Sequence, residues 1–220
     1  VERSATQHHY FMPQETIVFV HGLWVNGLEM GWLGRQLAGA GYLIQRFSYP
    51  TMANTPFENA MDLNEFAGRL EADTLHFVGH SLGGLVIRHL FHHFPQRRPG
   101  RIVTLGTPHQ GSSAAAVLAR RLPGRWLLGR SLSHGLIGPL PPWPTTHALG
   151  SIAGTLRLGL GLLLPDIPQP SDGTVAVEET RLAGMADHMT LPASHTSMLF
   201  SLDVVRQTQT FLQTGHFLRT

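Results

Sequence analysis

The sequence predicts an α/β fold: a mostly parallel central sheet with helices on both faces, in one domain spanning residues 1–220. Three observations carry that reading. Short strand-like runs alternate with helix-like runs along the chain, the pattern of parallel strands joined by helical crossovers. The chain has 220 residues, enough for one sizeable core and too few for two. Hydrophobic residues make up 42% and charged residues 14%, the balance of a globular chain.

Taken in order, residues 17–20 form a β-rich run ending at His21-Gly22. Residues 28–40 bring Leu28, Trp32, Leu33 and Leu37 to one helical face, stopped by Gly39 and Gly41. Residues 42–49 read as a strand closed by Pro50. A helix over 59–70 follows, with Met61, Leu63, Phe66 and Leu70 as its stripe. Residues 75–78 form a short buried strand, and 82–94 a helix with Leu82, Val86, Leu90 and Phe94 inward. Strands are expected at 102–105, 151–153 and 189–191, and a last helix over about 198–212. One stretch breaks the rhythm. About 110–150 holds a short helical piece at 114–122 and then Gly-, Pro- and Arg-rich chain ending in Pro139-Leu140-Pro141-Pro142-Trp143-Pro144. A connection that long is usually functional, and it reads as a cap or lid over the edge of the sheet.

Composition removes several classes of function. There is no cysteine, so disulfides, thiol catalysis and thiolate metal sites are excluded. The adjacent His pairs at 8–9 and 92–93 lack the spacing of a helical zinc site, and no metal or cofactor is expected. The longest apolar run, 156–165, is too short for a membrane span. Residues 1–13 show no charged-then-apolar leader. A cytoplasmic location is expected, with secretion the alternative if a leader has been trimmed ahead of Val1. The pI of 9.7 reflects missing titrants: all 16 basic residues are Arg, and the formal charge is only +2. That balance is no argument for nucleic acid. The distribution is uneven, however, for nine Arg and no carboxylate fall within residues 74–165. Near-cancellation against the acidic remainder favours salt bridges between the two sets; exposure near a site mouth would instead favour an anionic lipid surface.

Gly79-His80-Ser81-Leu82-Gly83 matches G-x-S-x-G directly after an apolar strand and directly before an amphipathic helix. That context is what a nucleophile elbow requires: the serine sits in a strained turn, and small residues two positions either side remove side chains that would clash. Ser81 would then stand at the C-terminal edge of the sheet, beside a helix N-terminus that favours developing negative charge.

Residues 75–94 around this motif resemble the elbow of lipases and esterases of the α/β-hydrolase fold. Phe19-Val-His-Gly-Leu-Trp resembles that family's first strand and oxyanion loop, and Leu105-Gly-Thr-Pro-His-Gln-Gly-Ser its segment after the strand following the elbow. Ser171-Asp-Gly-Thr-Val and Ser194-His195 resemble its acid and histidine segments. The resemblance implies a Ser–His–Asp triad in the chain order serine, acid, histidine. Ser81 is then the nucleophile. The acid must follow the carboxylate-free stretch: Asp172 is favoured by its Asp-Gly turn, with Asp166 the rival. His195 is the expected base, with His109, near a strand end but ahead of every late acid, the alternative. His76 and His80 are expected to pack or bond locally. The resemblance also implies an oxyanion hole from the main-chain N–H groups of Leu23 and Leu82.

Apolar residues of the cap suggest an acyl pocket lined by Trp24, Trp126, Leu136 and Trp143, and a small-molecule ester or lipid as substrate. Arg120, Arg121, Arg125 and Arg130 interleave with them, so peripheral contact with a lipid surface is a further expectation. The expected activity is carboxylic ester hydrolysis through an acyl-enzyme. A thioesterase or acyltransferase using the same triad, and a catalytically idle binding scaffold, are the alternatives.

Overall fold

Alternation along the first strand sets the layers. In β1 (Glu15–Val20), Val18 and Val20 point into one apolar layer while Ile17 and Phe19 point into the other. The computed structural model describes residues 15–120, 122–159 and 167–219. Six strands form one parallel sheet in the order β2-β1-β3-β4-β5-β6, with β2 at Leu43–Phe47, β3 at Thr74–His80, β4 at Ile102–Leu105, β5 at Leu149–Gly154 and β6 at Asp187–Leu191. Helices α2 (Pro56–Gly68) and α3 (Leu82–His93) cover the Val18 face; α1 (Gly31–Gly39) and α6 (Leu202–Thr214) cover the Ile17 face. The inner strands are therefore buried on both sides, β3 from Leu75 onward and β4 throughout, whereas the edge strands β2 and β6 are partly exposed.

Element ends differ from the periodicity where capping decides them. The helix expected at 59 begins at Pro56, because Thr55 and Glu58 form a reciprocal capping box and Pro56 is pre-set for the first turn. The last helix begins at Leu202 instead of 198. Ser201 caps it by accepting from the Val204 N–H, and Ser197–Phe200 form a separate 3-10 turn. The helical piece expected at 114–122 is α4 (Ser113–Ala119), followed by a distinct α5 (Leu122–Leu128). Gly124 permits the crossing, since a Cβ there would lie 2.1 Å from the Leu118 carbonyl oxygen.

The long excursion between β4 and β5 is fastened at several points. The buried Glu179 carboxylate accepts from the Ser113 N–H at 2.6 Å and from the Ser113 hydroxyl, capping α4, and from the Ala176 N–H at 2.9 Å. The Trp24 indole donates to the Leu127 carbonyl at 2.8 Å, and the Arg130 N–H to Met52 O at 2.9 Å. Arg130 also pairs with Glu58 at 2.8 Å, an ion pair between the basic stretch and the acidic remainder. Other arginines of that stretch act differently from the salt-bridge expectation. Arg88 donates to the carbonyls of Pro141 and His109, Arg98 to those of Ala67 and Leu70, and Arg101 to that of Leu212. They satisfy helix ends and loop backbone, which a planar five-donor group does well. Among the described residues, no helix is long and apolar enough to cross a membrane.

Three buried histidines make the fold acid-sensitive. Burial pushes His80 and His109 down to about 3 and His89 down to about 4, from an ordinary 6.5. The unfolded chain takes up these protons below pH 6.5 and the native state refuses them, so stability is full above pH 6.5. It is then lost towards pH 3–4 at about 1.4 kcal/mol per pH unit for each such group. Urea midpoints should be level from pH 8 to 7 and fall steeply between pH 6 and 4.5. A level profile down to pH 4.5 would count against these assignments.

Candidate active site

Ser81 joins β3 to α3 with φ 53° and ψ −121°, a conformation that a residue with a side chain rarely adopts. The surroundings hold it there. The Ser81 N–H donates to Leu105 O at 2.9 Å, and its carbonyl accepts from the Gly84 N–H at 3.1 Å and the Thr107 hydroxyl at 2.9 Å. The flanking glycines answer to close approach. A Cβ at Gly79 would lie 2.7 Å from the Gly84 nitrogen, and one at Gly83 2.0 Å from the Val20 carbonyl oxygen. The first turn of α3 thus lies against the C-terminal ends of β1 and β3. The Leu82 N–H belongs to that turn, where backbone donors have no partner within the helix.

Asp172 and His195 meet at the ends of β4 and β5. The His195 Nδ1–H donates to Asp172 Oδ2 at 2.7 Å, and its main-chain N–H to the Asp172 carbonyl at 2.9 Å. Oδ1 of Asp172 accepts from the N–H groups of Thr174 and Val175 at 2.8 and 2.7 Å, so a buried carboxylate is fully partnered in its charged form. Gly173 completes this Asp-Gly turn at φ +93°, and a Cβ there would strike the Leu158 carbonyl. Gly106, at φ +55°, makes room for the pair: a Cβ on it would lie 2.9 Å from Asp172 Oδ2 and 3.0 Å from His195 Nδ1. Asp166, the rival acid, lies outside the described residues.

The loop after β1 is set by His21. Its ring stacks on Tyr49 at 4.4 Å, its Nδ1–H donates to Gly22 O at 2.9 Å, and its Nε2 accepts the Tyr49 N–H at 3.3 Å. Tyr49 returns a 2.6 Å bond from its hydroxyl to the His21 carbonyl. Burial pushes the His21 imidazole down, keeping Nε2 free to accept. Gly22 follows with only 3.2 Å between its would-be Cβ and the Ser81 Cβ, so this loop passes directly beside the elbow.

These elements surround a cavity of about 310 Å³ whose lining includes Leu23, Trp24, Ser81, Leu136, Val175 and His195. Two expected pocket residues are elsewhere. Trp126 is 76% exposed, because its side of α5 faces water, and Trp143 is buried against Phe91 in the core layer of α3. His109 does not line the cavity either. It is buried behind β4, sharing a 3.1 Å hydrogen bond with Thr104 and accepting from Arg88, while its neighbour Pro108 reaches the lining. His80 is the residue that sequence reasoning undervalued. Its Nε2–H donates to the His195 carbonyl at 3.0 Å, and the two rings lie 4.7 Å apart. Only its place beside Ser81 could have drawn attention to it. A larger cleft, about 710 Å³, opens at the opposite edge of the sheet among Glu15, Arg97, Arg98 and Arg101, so size alone does not choose the site. Among the described residues, no group of three His, Asp or Glu is positioned to hold a metal ion.

A model of the alpha/beta hydrolase family matches residues 17–219. No curated protein matches the sequence. Among solved structures, the mature form of a Bacillus licheniformis lipase is similar with a TM-score of 0.71 at 19% identity, covering 94% of each chain. A metagenomic carboxyl esterase gives 0.60 at 17% identity, over 84% of this chain and 65% of that one. A Bacillus subtilis carboxylesterase gives 0.59 at 14%, over 92% and 84%. At these identities the likeness is one of fold.

Gly83→Ala should be strongly destabilising, since its methyl would meet main-chain oxygen on β1 rather than a movable side chain. Overpacking of this kind costs about 1–3 kcal/mol or more, read as a lower urea midpoint at pH 8. An unchanged midpoint would mean that the elbow packs more loosely than described.

Proposed function

The chain belongs to the alpha/beta hydrolase family, and on that premise we propose that it hydrolyses carboxylic esters through Ser81, His195 and Asp172. The observation that carries the reading is a serine held at positive φ in the same cavity as a histidine whose Nδ1–H is bonded to a buried, fully partnered carboxylate. Such a carboxylate fixes the tautomer, leaving the His195 Nε2 lone pair as the base.

In the proposed reaction, Ser81 Oγ attacks the ester carbonyl carbon while His195 Nε2 takes its proton. The negative charge on the former carbonyl oxygen is met by the main-chain N–H groups of Leu23 and Leu82. The C–O bond to the alcohol then breaks, and the alcohol leaves with the proton from His195. Water, deprotonated by the same nitrogen, attacks the acyl carbonyl carbon; the C–O bond to Ser81 then breaks, Oγ takes the proton back from His195, and the acid is released. Asp172 stays ionised throughout and stabilises the imidazolium.

The excursion at about 110–150 is read as a cap fastened in place, supported by its bonds to Trp24, Met52 and Glu58. Beneath it the cavity is walled by Ala115, Leu118, Leu128 and Leu136, which favours apolar acyl groups. An apolar cavity of about 150 Å³ holds a benzene ring, so 310 Å³ takes roughly a dozen non-hydrogen atoms, an acyl chain of about four to ten carbons. Trp24, Val25 and Leu158 both line the cavity and reach the surface, and Leu28 and Trp126 stand exposed in neighbouring segments. That apolar margin favours substrates presented at a lipid surface.

Ser81→Ala and His195→Ala should each lower kcat for a soluble nitrophenyl ester by about 10³-fold or more, with thermal melting unchanged, and Ser81→Ala should abolish labelling by a fluorophosphonate. Retained turnover in Ser81→Ala would overturn the assignment. Across a series of nitrophenyl esters, kcat/KM should peak between about four and ten acyl carbons. A maximum at sixteen would mean that the cap opens.

A further inference from the structure

Two of the hydrogen bonds that hold His195 come from the same residue: Asp172 takes both its Nδ1–H and its main-chain N–H. These bonds orient the imidazole relative to Asp172, but neither connects the pair to the strand that carries Ser81. The bond from His80 does. His80 is the last residue of β3, one peptide from Ser81, and its Nε2–H reaches the His195 carbonyl at 3.0 Å. We propose that His80 is a positioning residue, whose hydrogen bond to the His195 main chain registers the imidazole with the Ser81 elbow. This inference rests on the ester-hydrolase reading above.

The chemistry of the ring fits that role. Because the acceptor is a carbonyl, the proton must sit on Nε2, leaving Nδ1 a bare lone pair. Nδ1 is buried without a polar partner among the described residues, and a Cβ on Gly22 would lie 3.1 Å from it. A second proton there would have no acceptor. It would also add a positive charge 4.7 Å, ring to ring, from the imidazole that becomes cationic in the reaction. Of the ionisable groups facing His80, His195 and His21 oppose that charge and Asp172 favours it, and burial outweighs all three. His80 is thus a donor that stays neutral while His195 cycles. Arginine or lysine could donate the same bond only by placing a permanent charge beside the base.

His80→Phe keeps a ring and removes the donor; His80→Gln keeps an uncharged donor of similar reach. On a soluble short-chain ester, His80→Phe should lower kcat roughly 10- to 100-fold with KM within about twofold, since small misplacements of a catalytic group cost that much. The downfield proton resonance of the His195–Asp172 bond, read by NMR without substrate, should broaden or vanish. His80→Gln should restore most of kcat and the resonance. Wild-type kcat and an intact resonance in His80→Phe would overturn the proposal, as would a His80→Gln protein no better than His80→Phe in both readouts. If thermal melting shows His80→Phe to be unfolded, His80→Met takes its place in the same comparison. Should the wild-type protein hydrolyse no ester, the ester-hydrolase reading fails, and the resonance comparison still decides whether His80 positions His195.

Discussion

The close seating of the first turn of α3 on the ends of β1 and β3 is the constraint on which the site depends. Gly79, Gly83 and Gly84 let main chain meet main chain, or the Thr107 side chain, at distances that leave no space for a Cβ. That seating forces Ser81 into its positive-φ turn, and the bonds to Leu105, Gly84 and Thr107 hold it. Strain of this sort is worth about 1–3 kcal/mol and persists only where surrounding contacts over-determine it. Gly22 extends the same logic to the next loop, which passes the Ser81 Cβ where a side chain of its own would collide.

Around this point, buried polar groups are matched to fixed partners. Both Asp172 oxygens accept, His21 uses both ring nitrogens, and Glu179 ties the start of α4 to the chain that follows Asp172. A low-dielectric site makes such matching worth more than it would be at the surface, and makes any mismatch expensive. Among the described residues, the Nδ1 of His80 lacks a polar partner, as does the Oε1 of the cavity-lining Glu29. In His80 this suits a group whose useful state is a neutral donor.

The basic stretch from 74 to 165 shows why net charge along a sequence is a poor guide to partners. Arg88, Arg98 and Arg101 are spent on carbonyls at helix ends and in loops. Arg130 is spent on Glu58 and on Ala53 O. The chain uses guanidinium groups as backbone staples, a role that needs donors in a fork and is indifferent to where the carboxylates fall in sequence.

The sequence by itself determined the alternation of strands and helices, the burial of both sheet faces, and the presence of a serine between an apolar strand and an amphipathic helix. All of these are encoded locally, in periodicities of 2 and 3.6 and in glycine spacing. Capping residues could also have been read locally, and Thr55-Pro56 with Glu58 would have moved the start of α2 to its true position. The tertiary structure alone decided which of the two rival bases, His109 or His195, reaches the cavity. His109 and His195 both follow strands, yet the packing of β4 turns one under the sheet while the Gly106 turn leaves room for the other beside Asp172. It alone sent Trp143 to the core and Trp126 to the surface. It alone joined His80 to a carbonyl 115 positions away. Such contacts depend on how layers pack in space, and pattern along a chain carries no record of which remote group will stand within hydrogen-bonding reach.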